Sequence, residues 1–446
     1  MESLSKEQNS ISYTKETDPL LKEYLEMKKS FKKVENILGV KVSKEQTSIL
    51  VKILKPVKVP FKNVNPIKHS NNSNDNIYLT KYYPNQKEEL EKFIQSSLSP
   101  EQLNTVKYSL CEEIVTLGVA NYSYDELIKI VSKNELTSVP GGFEIIGKIA
   151  HLNLREGFLK YKYVIGQLIL DKNPSIRTVV NKVSKIDNVY RTYEMEVLAG
   201  KEDFNVEHKE GNIMFHFNLK NTYWCSRLQG ERDRVLSLLK KGEVLCDAFC
   251  GVGPLSLRAC KKGLRVLAND LNPSCYEYIN NNIKINKLNS SMITTFNMDA
   301  REFMKICIEK SKKVIDDEED NLDKKFPHDL HIHHIYMNLP KDAIEFLDVF
   351  VGLFKGCKET VYSKGNLPIV HVYGFAKTDS GSDPKRELKE RIAKAFKMEY
   401  EEFEEECKDD ILHIENVRDI STKKMVFCID MRIPYCVAYG LKVKNK

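Results

Sequence analysis

From Gly242 onward the chain repeats one pattern: a short apolar run, a polar break, then a stretch with apolar positions three and four apart. The apolar runs end in "CDAFCGVGPLSL", "RVLAND", "ITTFNMD" and "HHIYMNLP". Continuous apolar runs of this length suit strands buried on both faces, and the intervening 3.6-residue periodicity suits helices. Strands alternating with helices predict an α/β fold, a doubly wound Rossmann-like parallel sheet with ligands at the carboxyl ends of its strands.

The first half reads differently. "DPLLKEYLEMKKSFKKVENI" has a lysine-rich helical pattern, "TSILVKILKPVKVPFK" is β-like, and "HSNNSNDN" is a polar gap that predicts a loop or linker. Residues 87–133 predict helices, with starts at Ser99-Pro100 and near Ser123. From "SVPGGFEIIGKIAHLNL" to "FHFNLKNTYW" the pattern is of short alternating strands in a small mixed module, with turns at Lys172-Asn173-Pro174 and Glu210-Gly211-Asn212. The division expected is an N-terminal α+β domain over 1–140, a small α/β module over 141–237 and the Rossmann-like domain over 238–446. The charged stretch around 308–330 predicts an exposed insertion with no site of its own. The sequence shows no internal repeat.

Composition changes this picture little, but the placement of charge adds to it. The formal charge is +6; residues 1–140 contribute +2, residues 141–240 contribute +4, and the remainder balances. A polyanion footprint would therefore lean toward the first half. Eleven cysteines, from Cys111 to Cys436 and without a C-x-x-C pair, suit a reduced intracellular protein. No apolar run approaches membrane-spanning length, and the N-terminus lacks a secretory apolar core and an arginine-rich transit pattern. A cytosolic or nuclear location is expected, with the mitochondrial matrix open and no membrane partner; a monomer is expected.

The glycine turn carries the chemistry. Gly251-Val252-Gly253-Pro254 follows a strand and precedes a helix, but the third glycine of a dinucleotide fingerprint is missing. Asp270, ending the next strand, suits a ribose diol in either a dinucleotide or S-adenosylmethionine. Asp247 would repel a pyrophosphate and welcome an aminoacyl ammonium. Asp299 and Asn338 end the following two strands, so four consecutive strand ends carry polar groups. In this combination the sequence resembles class I S-adenosylmethionine-dependent methyltransferases. The motif order resembles the archaeal and eukaryotic tRNA (guanine-N1-)-methyltransferases, which act on the guanosine 3′ to the anticodon, at tRNA position 37.

The resemblance runs from about Lys182 to Gly440. It rests on "YRTYEMEVLAG", "YWCSRLQGERDRV", "DAFCGVGPLSL", "ANDLNP", "MDARE", "MNLPKDAIEFLD" and "VRDISTKKMVFCIDMRIP". Residues 1–140 match only loosely. The family's usual alanine in the glycine turn is Cys250, and its usual proline before the arginine is absent from Cys225-Ser226-Arg227. The resemblance implies S-adenosyl-L-methionine held by Arg227, Asp247, Phe249, Gly251, Gly253, Pro254, Asp270, Leu271, Asp299, Ala300 and Asn338. It implies tRNA as partner, through anticodon loop and body, with residues 1–140 as a candidate tRNA-recognition region.

Methylating N1 of guanine requires removal of the N1 proton, stabilisation of charge growing on O6 and rigid placement of the base. The matching positions imply Glu231 as the base, Arg191 as the stabiliser, Asn338 and the Pro340 backbone as a clamp on the ring edge, and Tyr223 close to the reacting base. Spacing alone offers plainer readings. Arg227, Glu231 and Arg234 suit a solvated ion-pair face at i, i+4 and i+7, and Arg191 in an alternating strand suits a surface position. His331 and His333 could share a strand face but lack a third ligand, so no metal is expected. Cys246 and Cys250 suit strand and turn positions without a paired base.

Two rival functions remain, and a third fails on its motif. An aminocarboxypropyl transferase of the wybutosine pathway would share the sheet and cofactor, though not "MNLP" with Glu231 and Arg191. A non-catalytic tRNA-binding protein would keep the glycine turn alone. A protein glutamine methyltransferase would need an N-P-P-Y-type motif, where this chain has Leu339 and Lys341.

Overall fold

The computed structural model describes residues 14–70, 74–138, 140, 142–183, 189–312, 330–357, 362–378, 381, 383–421 and 423–441. The chain divides into two compact units. One comprises Met1–Phe143, Ala150–Asn181 and Glu196–Glu202; the other comprises Glu144–Ile149, Lys182–Met195 and Asp203–Lys446. The stretch 141–237 is thus shared between the two.

In the first unit, Lys33–Ser43 is the centre of an antiparallel sheet, flanked by Tyr108–Leu117 on one side and Asp75–Leu79 then Ile67–His69 on the other. Leu38, Val40 and Val42 alternate onto the face that packs against Leu50, Leu54, Leu90 and Ile94. This corrects three expectations. Thr47–Leu54, expected as β-like, is a helix, because Leu50 and Leu54 bury together at i, i+4. The helical reading of 18–37 holds only to Ser30, where the strand from Lys33 pairs instead. Within 87–133 the helices start after Ser99 and Ser123 as expected, each with a capping box, but Tyr108–Leu117 between them is a strand. Of the "HSNNSNDN" gap, expected as a loop or linker, His69 pairs antiparallel with Asn76, while residues 71–73 lie outside the described residues.

A second core in this unit joins the helices Pro19–Ser30, Tyr124–Val131 and Lys162–Lys172. The last of these interrupts the expected run of strands. Its Gly166 lets the backbone close on Leu198, where an added Cβ would lie 2.5 Å from the leucine Cβ.

The second unit is built on seven strands: β1 (Val244–Asp247), β2 (Arg265–Asn269), β3 (Ile293–Phe296), β4 (His334–Met337), β5 (Ile369–Lys377), β6 (Ile411–Ser421) and β7 (Lys424–Arg432). Their spatial order is β3-β2-β1-β4-β5-β7-β6. The first five are parallel, and the β6–β7 hairpin adds antiparallel to β5. The parallel α/β sheet expected from the sequence is present, and its order reverses at β1 and β4, the position at which open α/β sheets bind ligands. Of the 308–330 stretch, Ile308 is buried in the helix Ala300–Lys312 and Leu330 is buried in the core; residues 313–329 lie outside the described residues. No helix among the described residues is long and apolar enough to cross a membrane.

Candidate active site

The glycine turn is tied down by its own N–H groups. Ala248 N–H donates to the Tyr336 carbonyl, Cys250 N–H to the Asn269 carbonyl, Gly251 N–H to Asp270 Oδ2 at 2.8 Å and Gly253 N–H to the Cys250 carbonyl. A turn that spends these donors on the protein is a poor cradle for phosphate. Both glycines need positive φ, +55° at Gly251 and +90° at Gly253, but for different ends. A Cβ on Gly253 would lie 2.8 Å from Leu257 Cγ and 2.9 Å from Ile279 Cγ1, so this glycine permits close helix packing. A Cβ on Gly251 would meet nothing within 4 Å, so that glycine faces open space. Pro254 lies in the turn, and the helix opens two residues later as Ser256–Lys262.

Asp247, the last residue of β1, is 1% exposed. Its Oδ2 accepts from Ser256 Oγ at 2.5 Å, while Oδ1 is buried without a partner. Burial pushes its carboxyl up to about 7, with Ser256 and the Phe249 N–H pulling the other way. An orphaned acceptor here calls for a cationic donor.

Asp270 follows β2 and accepts from the N–H groups of Gly251 and Asn272. Burial raises its carboxyl too, opposed by those bonds. Leu271 beside it leaves an apolar side chain 43% exposed. Asp299 caps the helix Ala300–Lys312, its Oδ1 accepting from Arg301 N–H at 2.8 Å, and Ala300 is buried. Phe249 meets Phe346 edge to face at 5.2 Å, and Arg301 lies over the Phe346 ring. Carboxylates at Asp247, Asp270 and Asp299, space at Gly251 and apolar surface at Leu271 and Phe249 fit an ammonium, a diol and a purine, the parts of S-adenosylmethionine.

Asn269, which the sequence reading passed over, fastens this crevice. Fully buried, it donates to the carbonyls of Ala248 and Met298 and accepts from Met298 N–H, joining three consecutive strand ends. An amide at an inward strand position of "ANDLNP" was the available signal.

Glu231 and Arg234 lie on the helix Gln229–Leu238. They do not form the solvated face that spacing alone suggested. Glu231 is 8% exposed and takes both Nε and Nη2 of Arg234 at 2.8 Å, while Tyr373 donates its hydroxyl to Oε1 at 2.7 Å. Arg227 belongs to the preceding 3-10 turn Ser226–Leu228, which forms without the family's proline: Ser226 N–H donates to Glu144 and Leu228 N–H to the Cys225 carbonyl. Arg227 is exposed. Tyr223 is exposed and stands 5.9 Å from the Tyr193 ring.

Arg191 is not in a strand. It sits in a turn at φ +59°, and its guanidinium pairs with Asp342. Asp342 lies four residues after Asn338 in the loop following β4, so the Arg191 turn and the N-L-P loop are fastened together. Asn338 Nδ2 donates to the Tyr336 hydroxyl at 2.9 Å, and the Pro340 carbonyl accepts from Phe375 N–H at 3.1 Å.

His331 and His333 precede β4 and do not share its face; their rings meet edge to face at 4.6 Å, and His331 stacks on Tyr362. Among the described residues no group of three or more His, Cys, Asp or Glu could hold a metal ion. Cys246 and Cys250 are buried, and burial pushes the Cys250 thiol up, away from nucleophilic use.

Comparison with known proteins agrees with this geometry. Residues 206–401 match the TRM5/TYW2 methyltransferase domain, and residues 124–203 match the TYW2 N-terminal domain. The chain is 34% identical to the tRNA (guanine(37)-N(1))-methyltransferase of Schizosaccharomyces pombe, covering 94% of this chain and 96% of that protein. It is 36% identical to the protein of the same name from Batrachochytrium dendrobatidis, covering 74% and 72%. Trm5b from Pyrococcus abyssi is similar in structure, with 25% identity, TM-score 0.56 and coverage of 89% of this chain and 99% of that one. A structure of aTrm5 in complex with tRNALeu, 21% identical, matches in fold with TM-score 0.62 over 89% of this chain and 99% of that one.

Proposed function

The chain belongs to the family of tRNA (guanine(37)-N(1))-methyltransferases, and from that premise we propose that it methylates N1 of guanosine 37 in tRNA, with S-adenosyl-L-methionine as donor. The observation that carries this reading is the 34% identity to the Schizosaccharomyces pombe enzyme over nearly the whole of both chains.

When bound, S-adenosyl-L-methionine supplies an electrophilic methyl group. The residues on this chain divide the remaining work. Asp247 pairs with the ammonium through its unpartnered oxygen, Asp270 accepts from the ribose hydroxyls, Asp299 and Leu271 hold the purine, and Arg227 takes the carboxylate. Arg191 has four guanidinium N–H donors beyond the one spent on Asp342 and offers them to charge growing on O6. Asn338 orients the ring edge together with the Pro340 backbone, and Tyr223 flanks the base.

Glu231 takes the N1 proton. A carboxylate has about four lone-pair sites. Arg234 and Tyr373 occupy two on Oε1, and Arg234 occupies one on Oε2, so the proton goes to the remaining site on Oε2. A guanine in a folded tRNA reaches such a pocket only when its loop opens and the base is splayed out. The protein acts as a monomer on the anticodon loop and body of the tRNA, with residues 1–140 reading a distant region, in the cytosol or nucleus.

The test is a reciprocal pair of variants. Glu231→Gln lowers single-turnover methylation by about 10²- to 10⁴-fold and spares cofactor affinity; Asp270→Ala weakens cofactor binding first. A Glu231→Gln enzyme with the wild-type rate at every pH removes the base assignment. The match of residues 124–203 to the TYW2 N-terminal domain favours one alternative, transfer of the aminocarboxypropyl group of the same cofactor, and the identity of the transferred group separates the two.

A further inference from the structure

A chain of polar side chains is buried where the helix Gln229–Leu238 meets β4, β5 and β7, and it converges on Glu231. On one side Asn338 donates to the Tyr336 hydroxyl, the Tyr336 ring meets the Tyr373 ring edge to face at 5.4 Å, and Tyr373 donates to Glu231. On the other side Arg234, bound to both oxygens of Glu231, donates Nη1 to Asp430 Oδ2 at 2.7 Å. Asp430 Oδ1 meets His371 Nδ1 at 2.6 Å, His371 Nε2 meets His334 Nδ1 at 3.1 Å, and His334 Nε2 meets Glu243 at 3.2 Å.

The pleat builds this arrangement. His334, Tyr336 and Asn338 alternate along β4 and the loop after it, His371 and Tyr373 along β5, and Cys428 and Asp430 along β7. A sheet face beneath a helix is ordinarily apolar. Well-packed apolar residues of the same volume would stabilise such a layer as well or better, so stability alone does not account for it.

We propose that Tyr373 and Asp430 are positioning residues that set the Glu231 carboxylate for proton transfer, acting on it from opposite directions. The inference rests on the reading of Glu231 as the base. Tyr373 donates to the anionic carboxylate and so favours its charged form. Arg234 donates to both oxygens of the same carboxylate and acts in the same sense. Asp430 offsets this by sharing the same guanidinium and by placing a second negative charge behind it. Burial would push the Asp430 carboxyl up, but His371 and Arg234 outweigh it and hold it down at about 2, so the compensating charge persists across the working range of pH. Cys428 also faces Glu231, its proton held in place by burial, and the His371–His334 pair lies behind Asp430.

The experiment is single-turnover N1-methylation of a G37 tRNA transcript at saturating S-adenosyl-L-methionine, from pH 5 to 9. It compares wild type, Glu231→Gln, Tyr373→Phe and Asp430→Asn, with cofactor affinity and melting temperature measured for each. The inference predicts an acid limb in wild type that Glu231→Gln abolishes. Tyr373→Phe, losing a donor to the anion, moves the limb up by about one pH unit, and Asp430→Asn, losing the opposing charge, moves it down by about as much. A merely structural role would alter melting or rate without moving the limb in opposite directions. A limb retained by Glu231→Gln overturns the base reading itself. A limb lost in Glu231→Gln but unmoved, or moved the same way, in the other two overturns the positioning inference alone, as does a flat wild-type profile. Should Asp430→Asn not fold, Tyr373→Phe, which loses one oxygen, decides by its own direction.

Discussion

The guanidinium of Arg191 and the carboxylate of Asp342 form an ion pair between residues 151 positions apart. Arg191 reaches it from a left-handed backbone conformation, which costs an L-residue about 1–2 kcal/mol. Such strain persists only where the surroundings over-determine it, and it is concentrated at functional sites. The pair sets the arginine beside the loop that carries Asn338 and Pro340.

Arg191→Ala is therefore expected to lower single-turnover methylation by about 10²- to 10³-fold, the loss typical of a missing oxyanion donor. Asp342→Asn keeps the arginine but frees it, and about a tenfold loss is expected from misplacement. Because the pair is partly exposed, melting temperature should change little in either variant. Rapid-quench kinetics with cofactor affinity measured in parallel checks this; an Arg191→Ala enzyme impaired only in cofactor binding would contradict the role.

The state of Asp247 makes cofactor binding depend on pH. Without ligand its carboxyl, raised to about 7 by burial, holds a proton below that pH. Pairing with an ammonium requires the anion, so binding releases a proton, and affinity rises as pH increases from 6 to 7.5, below the range where an α-amino group titrates, about 7.7–8.0. The same shift makes the unliganded protein more stable below the ordinary carboxylate range, a contribution lost as pH rises through about 7. Calorimetry in two buffers of different ionisation heat measures the proton release. Asp247→Asn should bind more weakly and without this slope; a wild-type affinity flat across the interval would refute the pairing.

The two glycines of the turn separate stability from binding. Gly253→Ala adds a methyl group 2.8 Å from Leu257 Cγ and is expected to cost about 1–3 kcal/mol for overpacking, besides the penalty of positive φ. Gly251→Ala carries only that penalty, about 1–2 kcal/mol, yet intrudes on the open space and should weaken cofactor binding the more of the two. Melting curves and titrations together decide whether the order inverts as stated.

Removing the Asn269 side chain leaves the carbonyls of Ala248 and Met298 and the Met298 N–H without a partner in a dry site. Asn269→Ala should cost about 1–3 kcal/mol of stability and reduce cofactor affinity, because the three strand ends no longer hold one another. Thermal unfolding with and without S-adenosyl-L-methionine measures both losses.

The parallel sheet was legible because buried strands and amphipathic helices impose different periods on the sequence, and Asp247, Asp270, Asp299 and Asn338 were legible because each falls at or just after the carboxyl end of a strand. What failed in the first half was local pattern overridden by packing: "TSILVKIL" fits either period until Leu50 and Leu54 are buried together, and Tyr108–Leu117 is a strand because Lys33–Ser43 pairs with it along ten positions. The glycine turn could be found but not divided between its two tasks, which depends on Ile279 in a later helix. The surroundings of Glu231 were beyond reach, since Tyr373 lies 142 positions away and Asp430 meets Arg234 across 196. No periodicity reports such contacts, and spacing alone suggested a solvated face where the structure has a buried network.

The most direct test of the account is group transfer from S-adenosyl-L-methionine to two tRNA transcripts that differ only in G or A at position 37, with the cofactor labelled in the methyl group in one reaction and in the aminocarboxypropyl chain in the other. Methyl label is expected on the G37 transcript alone, recovered as N1-methylguanosine, with no transfer of the chain label. Chain label on the tRNA, or cofactor binding with no transfer to either transcript, would contradict it.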